Sequence, residues 1–283
     1  MELFKVGGVP EHFNMPWHYM VSQKDLKPTG IDIQWTDYPG GTGDLVKSLN
    51  SGELDLATLL TEGAIKGIDS GGEYKILNFF VDSPLIWGIH VPAASDLHGL
   101  DQLRGKKYAI SRYGSGSHLI SYLDTRNRNW PTEELEFVEV GGMEGARAAF
   151  KGEQADVFLW EKFTTKPLVD QGEFRILGEC IPQFSSFVIC VSNKAWESRR
   201  DQVNQLLSSV LKSSIALLEN DQNARLISQH YRMTEQDIEA WLERTRWTTK
   251  LDLDRSKLNA AIEILKELSL VSESVSYEDL IVR

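Results

Sequence analysis

Between residues 2 and 61, short apolar runs alternate with polar, helix-forming stretches, and that alternation leaves the chain few folds to choose from. LFKVGGV reads as a strand, HYMVSQK opens a helix, and IDIQWTDY is a strand with alternating apolar residues. LVKSLNSGE is a helix and LDLATLL a strand again. This β-α-β-α-β order is the pattern of a parallel sheet with its crossover helices. KILNFFVDSPLIWGIHVP then gives two extended pieces broken at Ser83 and Pro84, because proline is excluded from a central strand. A second series follows: LRGKKYAIS, a helix from His118 to Asn127, LEFVEVG, the helix EGARAAFKG, ADVFLW and FRILGE. FVICVSN supplies one more strand, and only helices come after it.

A chain of 283 residues is long enough for two cores, since single cores stop growing near this length. The two series therefore predict two lobes. Residues 1–89 with 186–283 form the first and residues 90–185 the second, with a ligand cleft between them. Extended crossings around Gly88 to Val91 and around Ser185 to Ile189 are expected to serve as the hinge. Near the end of the chain, Val203, Leu206, Leu207, Val210, Leu211 and Leu218 recur three and four residues apart, as do Leu258, Ala261, Ile262, Leu265 and Leu268. Both sets read as buried faces of core helices.

The strand-to-helix loops carry the chemistry. SRYGSGSH at 111–118 and YPGGTGDL at 38–45 each lead into a helix N-terminus, where unpaired amides and a partial positive charge accept anionic or electron-rich groups. Gly40, Gly41, Gly43, Gly114 and Gly116 permit a tight backbone, while Thr42, Ser115 and Ser117 can cap or donate; alternatively, the glycines only shape turns. A Walker phosphate loop is excluded because no Gly-Lys is followed by Ser or Thr at the required spacing, and Leu119 stands where a dinucleotide fingerprint needs Gly or Ala. Other strand ends add Glu11, His12, Phe13 and Asn14, then Thr61 and Glu62, then Glu161, Lys162 and Phe163. Glu11, Glu62 and Glu161 suit an amino group or a protonated ring nitrogen; Arg112 and the loop amides suit a carboxylate, sulfonate or phosphate. Phe13, Trp17, Tyr38, Trp87, Tyr113, Trp160 and Phe184 could sandwich a flat ring or a cation, or simply pack in the core. Tyr38 and Tyr113, being in loops, favour the first role. An amphoteric small ligand would use both kinds of group.

Charge and composition exclude several classes. The formal net charge of −11 argues against nucleic acid and anionic membranes, which call for a basic face. No apolar run approaches the length that spans a bilayer, so no membrane insertion is expected. MELFKVGGVPEHFN is not a secretory signal, which places the protein in the cytosol if Met1 is native and outside it if a signal has been removed. Cys180 and Cys190 have neither metal-site nor disulfide-framework spacing and read as reduced, buried thiols. His12 and His118, with Glu62 or Glu161, could in principle meet around a metal, but no ligand spacing supports this. Neither metal nor cofactor is expected, and His18, His90, His98 and His230 carry no signal.

The stretches FKVGGVPEHF, GIDIQWTDYPGGTGDLVKSLNSGELDLA, LRGKKYAISRYGSGSHLISYL and GARAAFKGEQADVFLWE, taken in order, resemble the type II periplasmic-binding-protein fold. Their nearest likeness is to the branch that binds sulfonates, nitrate, taurine and thiamine precursors. VPEHFNMPWH, TEG, SPLIWGIHV, GSGSHL and FLWEKFTTKP resemble a signal-less group within that branch, found in fungi and bacteria. The resemblance implies an α/β fold of two lobes, each a mixed sheet flanked by helices, with a two-strand hinge and the C-terminal helices on the first lobe. It implies a monomer that closes on an aminopyrimidine, a sulfonate or a taurine-like solute, and an ABC permease as partner. The candidate ligand-binding residues are Glu11, His12, Asn14, Tyr38, Gly41, Thr42, Thr61, Glu62, Arg112, Tyr113, Ser115, Ser117, His118, Trp160 and Glu161. Two alternatives share the fold. One is an enzyme: the fungal thiamine-pyrimidine synthases carry a cysteine-rich run that this chain lacks, whereas menaquinone-branch chemistry leaves an acid/base role open for Glu11, His12 or His118. The other is an intracellular sensor or carrier. With no nucleophile, base and orienter grouped in a motif, a non-enzymatic role is expected.

Overall fold

The computed structural model describes residues 2–24, 26 and 29–283. The chain divides into two compact units, Met1–Ser83 with Phe184–Arg283, and Pro84–Gln183.

In the first unit, β1 (Glu2–Gly8), β2 (Ile31–Asp37) and β3 (Leu56–Leu60) run parallel. β4 (Tyr74–Val81) and β10 (Phe187–Ser192) complete a five-stranded sheet in the order β2-β1-β3-β10-β4, with β10 antiparallel to both neighbours. All six residues of FVICVS are buried, which is the pattern of a strand covered on both faces. α1 (Met15–Gln23), α2 (Thr42–Asn50) and α3 (Thr61–Asp69) follow β1, β2 and β3 in turn.

The second unit repeats the plan. β6 (Lys107–Ile110), β7 (Glu136–Glu139) and β8 (Val157–Glu161) are parallel, and β5 (Trp87–Pro92) and β9 (Phe174–Cys180) give the order β7-β6-β8-β5-β9. Its connecting helices are α4 (Gly116–Asn127), α5 (Met143–Lys151) and α6 (Lys162–Asp170). Ala109, Ala146, Ala149, Phe150, Phe158 and Phe174 form a core between sheet and helix, against which Trp160 packs.

The remaining helices, α7 (Asn193–Leu218), α8 (Asn223–Tyr231), α9 (Glu235–Leu242), α10 (Arg255–Glu267) and α11 (Tyr277–Leu280), belong to the first unit. Among the described residues, no helix is long and apolar enough to cross a membrane.

Two expectations need correction. Gly88–Val91 is not a hinge: it lies inside β5, which is paired to β8 on one side and β9 on the other, so bending there would break two ladders. Gly88 is small for a different reason, since a Cβ there would stand 2.5 Å from the His90 ring. Phe187–Ile189 of the other expected crossing likewise lies inside a strand, β10. The chain passes between units at Ser83–Pro84 and Gln183–Phe184 rather than at the expected 89–90 and 185–186. Beside these points, the Ser185 hydroxyl donates to Asp82 Oδ1 (3.0 Å) and the Ser186 hydroxyl to Ser83 O (2.8 Å). The second correction concerns Leu218, which is exposed, while Leu217 is fully buried. The buried stripe Val203–Leu207–Val210–Ser214–Leu217 steps four and three residues at a time, and Leu218 falls to its side. Cys180 and Cys190 are free and buried, as expected. Burial pushes the Cys180 thiol up to about 12 and holds Cys190 well above the ordinary range, so neither offers a reactive thiolate.

Candidate functional site

Each unit gathers its strand-to-helix junctions at the carboxyl edge of its parallel strands, where α/β sheets place ligands. In the first unit the chain leaves β1 at Gly8 and enters a 3-10 turn, His12–Asn14, that runs straight into α1. It leaves β2 at Asp37 and reaches α2 through Tyr38–Gly41, with Gly41 at φ 77°. β3 passes into α3 with no loop at all. The starts of α2 and α3 lie so close that a Cβ on Gly63 would stand 2.4 Å from Thr42 Cγ2.

His12, Asn14, Thr42, Thr61 and Glu62 are all buried. The His12 ring is stacked on Phe13 (centroids 4.9 Å) and flanked edge-on by Trp241 of α9 (4.3 Å) and Tyr231 of α8 (6.3 Å). Burial pushes its pKa down to about 3, so the imidazole is neutral at physiological pH. Glu62, the second residue of α3, is pushed up to about 7 by burial, against the opposing pull of its own backbone amide.

The hydrogen bonding of this edge is incomplete. Asn14 donates from Nδ2 to Val9 O (2.8 Å), and the Thr61 amide donates to Ser186 O (2.9 Å). Yet Asn14 Oδ1, Thr61 Oγ1, Glu62 Oε1, the Tyr231 hydroxyl and the Trp241 indole N–H are buried with no hydrogen-bond partner among the described residues. Buried polar atoms are nearly always satisfied, each orphan costing about 1–3 kcal/mol, so a group of them marks a place where water or a ligand belongs.

The other first-unit candidates serve local structure. The Tyr38 hydroxyl donates to Ser48 Oγ (2.9 Å), which in turn donates to Glu53 Oε2 (2.9 Å). The carbonyl of Glu11 accepts from the Asn14 amide (3.0 Å), holding the turn. Trp17 is core: its indole N–H donates to Thr58 Oγ1 (3.1 Å). Phe13 is buried against Phe187 and Trp241, and its carbonyl accepts from Trp247 Nε1 (2.7 Å).

In the second unit, SRYGSGSH satisfies much of its own hydrogen bonding. Ser115 Oγ donates to Arg112 O (2.7 Å) and caps α4 by accepting from the His118 amide (3.4 Å). Ser117 Oγ accepts from the Ser111 amide (3.0 Å), and His118 Nδ1 accepts from the Gly114 amide (3.1 Å). Gly114, at φ 79°, makes the turn. The first amides of α4 still lack intrahelical acceptors, so the anion-accepting end of the helix is retained. Arg112 is half-buried beside it. Tyr113 is exposed, with its ring edge-on to His118 (5.2 Å) and Phe137 (6.1 Å).

Glu161 ends β8 and caps α6, accepting at Oε2 from the Thr164 amide (2.6 Å) and hydroxyl (2.8 Å). Burial pushes it up to about 7 against those bonds. Trp160 stacks on Phe158 (5.1 Å), and Trp87 and Phe184 are buried. His12 and His118 belong to different units. Among the described residues no three His, Cys, Asp or Glu side chains are placed to hold a metal.

The structure therefore brings His12, Asn14, Thr61 and Glu62 to one edge in the first unit, and Arg112, Ser115, Ser117 and His118 to one loop in the second. Sequence reasoning missed Tyr231 and Trp241, near the ends of α8 and α9, and Trp247 beyond them, because the chain after FVICVSN read only as helices. The aromatic spacing in WLERTRW was the available signal.

Residues 87–180 match the model of the family described as Ca3427-like PBP. Over the whole chain, the structure is similar to the Candida albicans CA3427 gene product, described as having the generic periplasmic-binding-protein fold, with TM-score 0.94, 25% identity and 96% of that chain covered. It also resembles the alkanesulfonate-binding protein SsuA of Xanthomonas axonopodis pv. citri, solved bound to MOPS, with TM-score 0.82, 18% identity, all of this chain and 99% of that one covered. A curated relative is the putative aliphatic sulfonates-binding protein of Bacillus subtilis, 23% identical over 76% of this chain. The chain spans 65% of the length of that relative.

Proposed function

We infer that this chain, which has the periplasmic-binding-protein fold and matches the Ca3427-like group over residues 87–180, binds a small amphoteric or anionic organic solute. The observation that carries the reading is the set of buried, unsatisfied polar atoms at the carboxyl edge of the first sheet: Asn14 Oδ1, Thr61 Oγ1 and Glu62 Oε1, with the Tyr231 hydroxyl and the Trp241 indole. Such an edge supplies hydrogen bonds to a ligand. In the second unit, the N-terminus of α4 with Arg112 supplies complementary positive charge. A solute that engages both edges would favour a closed arrangement of the units, since only differential affinity shifts such an equilibrium. Relatives described as sulfonate-binding are binding proteins rather than enzymes, in keeping with the lack of a nucleophile, base and orienter motif in the sequence. An ABC permease as recipient of the solute is part of the same proposal.

Thermal-shift measurements against aminopyrimidines, thiamine and its phosphates, alkanesulfonates, taurine, nitrate and amino acids test it. A ligand at a hundred times its Kd adds about 2.7 kcal/mol, a shift of a few degrees in a chain of this size. A hit confined to one chemical class is expected; no shift with any compound, at concentrations up to several millimolar, contradicts the reading.

A further inference from the structure

The two units place a buried glutamate at the same point of their sheets, where the third parallel strand gives way to its helix: Glu62 after β3 and Glu161 after β8. Their surroundings differ. Glu161 spends one oxygen on the Thr164 amide and hydroxyl. Glu62 is 2% exposed, and its Oε1 meets no donor among the described residues. The ionisable groups on elements packed against α3 are engaged elsewhere. Asp44 and Lys47 pair with each other, Lys75 bonds the Asp279 carbonyl, and Lys257 pairs with Asp82. Arg255 pairs with Glu278 and Lys266 with Glu263; Tyr74 donates to Ala64 O, and the Cys190 thiol stays protonated. On α3 itself, Lys66 bonds Leu270 O and Asp69 accepts from Ser272; on the packed helices Asp279 accepts from Ser276, Tyr277 donates to Leu253 O, and Glu267 is engaged as well. His12, in the neighbouring turn, is neutral.

Two of the open atoms at the same edge can accept: Asn14 commits its Nδ2 to Val9 O and leaves Oδ1 as an acceptor, and Thr61 offers a hydroxyl. Trp241, Phe13 and Tyr231 supply aromatic rings around the same turn. Acceptors beside aromatic rings suit a nitrogen cation.

We propose that Glu62 recognises an ammonium nitrogen on the ligand, and that it does so by giving up its proton on binding. The inference rests on the solute-binding reading above. In the free protein burial holds the carboxyl neutral below about pH 7. The cationic ligand enters with its charge, Glu62 releases one proton to solvent, and the buried pair that results is neutral overall. Affinity for a cationic nitrogen therefore rises with pH up to about 7 and levels off beyond it.

Matched probes test this: 2-aminoethanesulfonate against ethanesulfonate, and 3-aminopropanesulfonate against propanesulfonate, by titration calorimetry in buffers of different ionisation enthalpy. The wild type is expected to bind the aminated member of a pair about tenfold more tightly at pH 8, and to release close to one proton per ligand near pH 6, since an ionised partner strengthens the bond. Glu62→Gln, which keeps the shape, is expected to lose both the preference and the proton release. Equal binding of aminated and plain probes, or an affinity that rises on acidification because Glu62 donates as a neutral acid, overturns the inference and leaves solute binding standing. Binding of none of the four probes overturns the inference as well; the broader ligand panel then decides separately whether the solute-binding reading fails.

Discussion

Burial sets the protonation of individual residues here, and the signs can be worked out. Glu62 and Glu161 are raised in the folded state to about 7 from an ordinary 4.5. The folded chain therefore holds more protons than the unfolded one between those values. The stability they contribute is full below about 4.5 and is lost as pH rises through 7, at up to about 1.4 kcal/mol per pH unit for each group. His12 works in the opposite direction, because its folded pKa lies near 3 and its unfolded value near 6.5. Its contribution is full above about 6.5 and is lost as pH falls towards 3. Between pH 4.5 and 6.5 the two effects oppose each other, which flattens the wild-type curve. Urea unfolding of Glu62→Gln across pH 4.5–8 is expected to show a gain over wild type that grows with pH and levels off above 7; a pH-independent difference would mean that Glu62 is ionised throughout.

At the scale of elements, the glycine- and serine-rich loop before α4 is a self-bonded turn. Ser115 bonds both Arg112 O and the His118 amide, so it fixes the entry to α4 as well as capping it. Ser115→Ala is expected to lower stability by about 1 kcal/mol, the usual cost of an N-cap, and to weaken binding of any anionic ligand held by the α4 amides. Unchanged stability in denaturant titrations would contradict the capping role. The sequence made this much legible because loop chemistry is local: Gly114 needs a positive φ, and Ser three residues before His118 reads as a cap. The alternation of strands and helices was equally readable. What lay out of reach was contact between segments far apart in the chain. Nothing near residue 12 announces that Trp241 will lie against His12, or that Trp247 will bond Phe13 O. The hinge was misplaced for a related reason: WGIHV reads as extended, but only the pairing with β8 and β9 shows it to be an interior strand. Leu218 and Leu217 are equally apolar, and only the position of the stripe that steps four and three residues from Val203 decides which one is buried.

For the molecule as a whole, the same strand order occurs in both units, but the chemistry at the two carboxyl edges is unequal. In the second unit the loop before α4 makes many of its own hydrogen bonds and the helix keeps its positive end. The first leaves polar atoms and a buried acid open among aromatic rings contributed by helices from the end of the chain. The most direct measurement is a crystal structure of the protein with the tightest-binding compound from the ligand panel. The account predicts ligand atoms within hydrogen-bond distance of Asn14 Oδ1, Thr61 Oγ1 or Glu62. A ligand bound elsewhere, with those atoms bridged only by water, would contradict it.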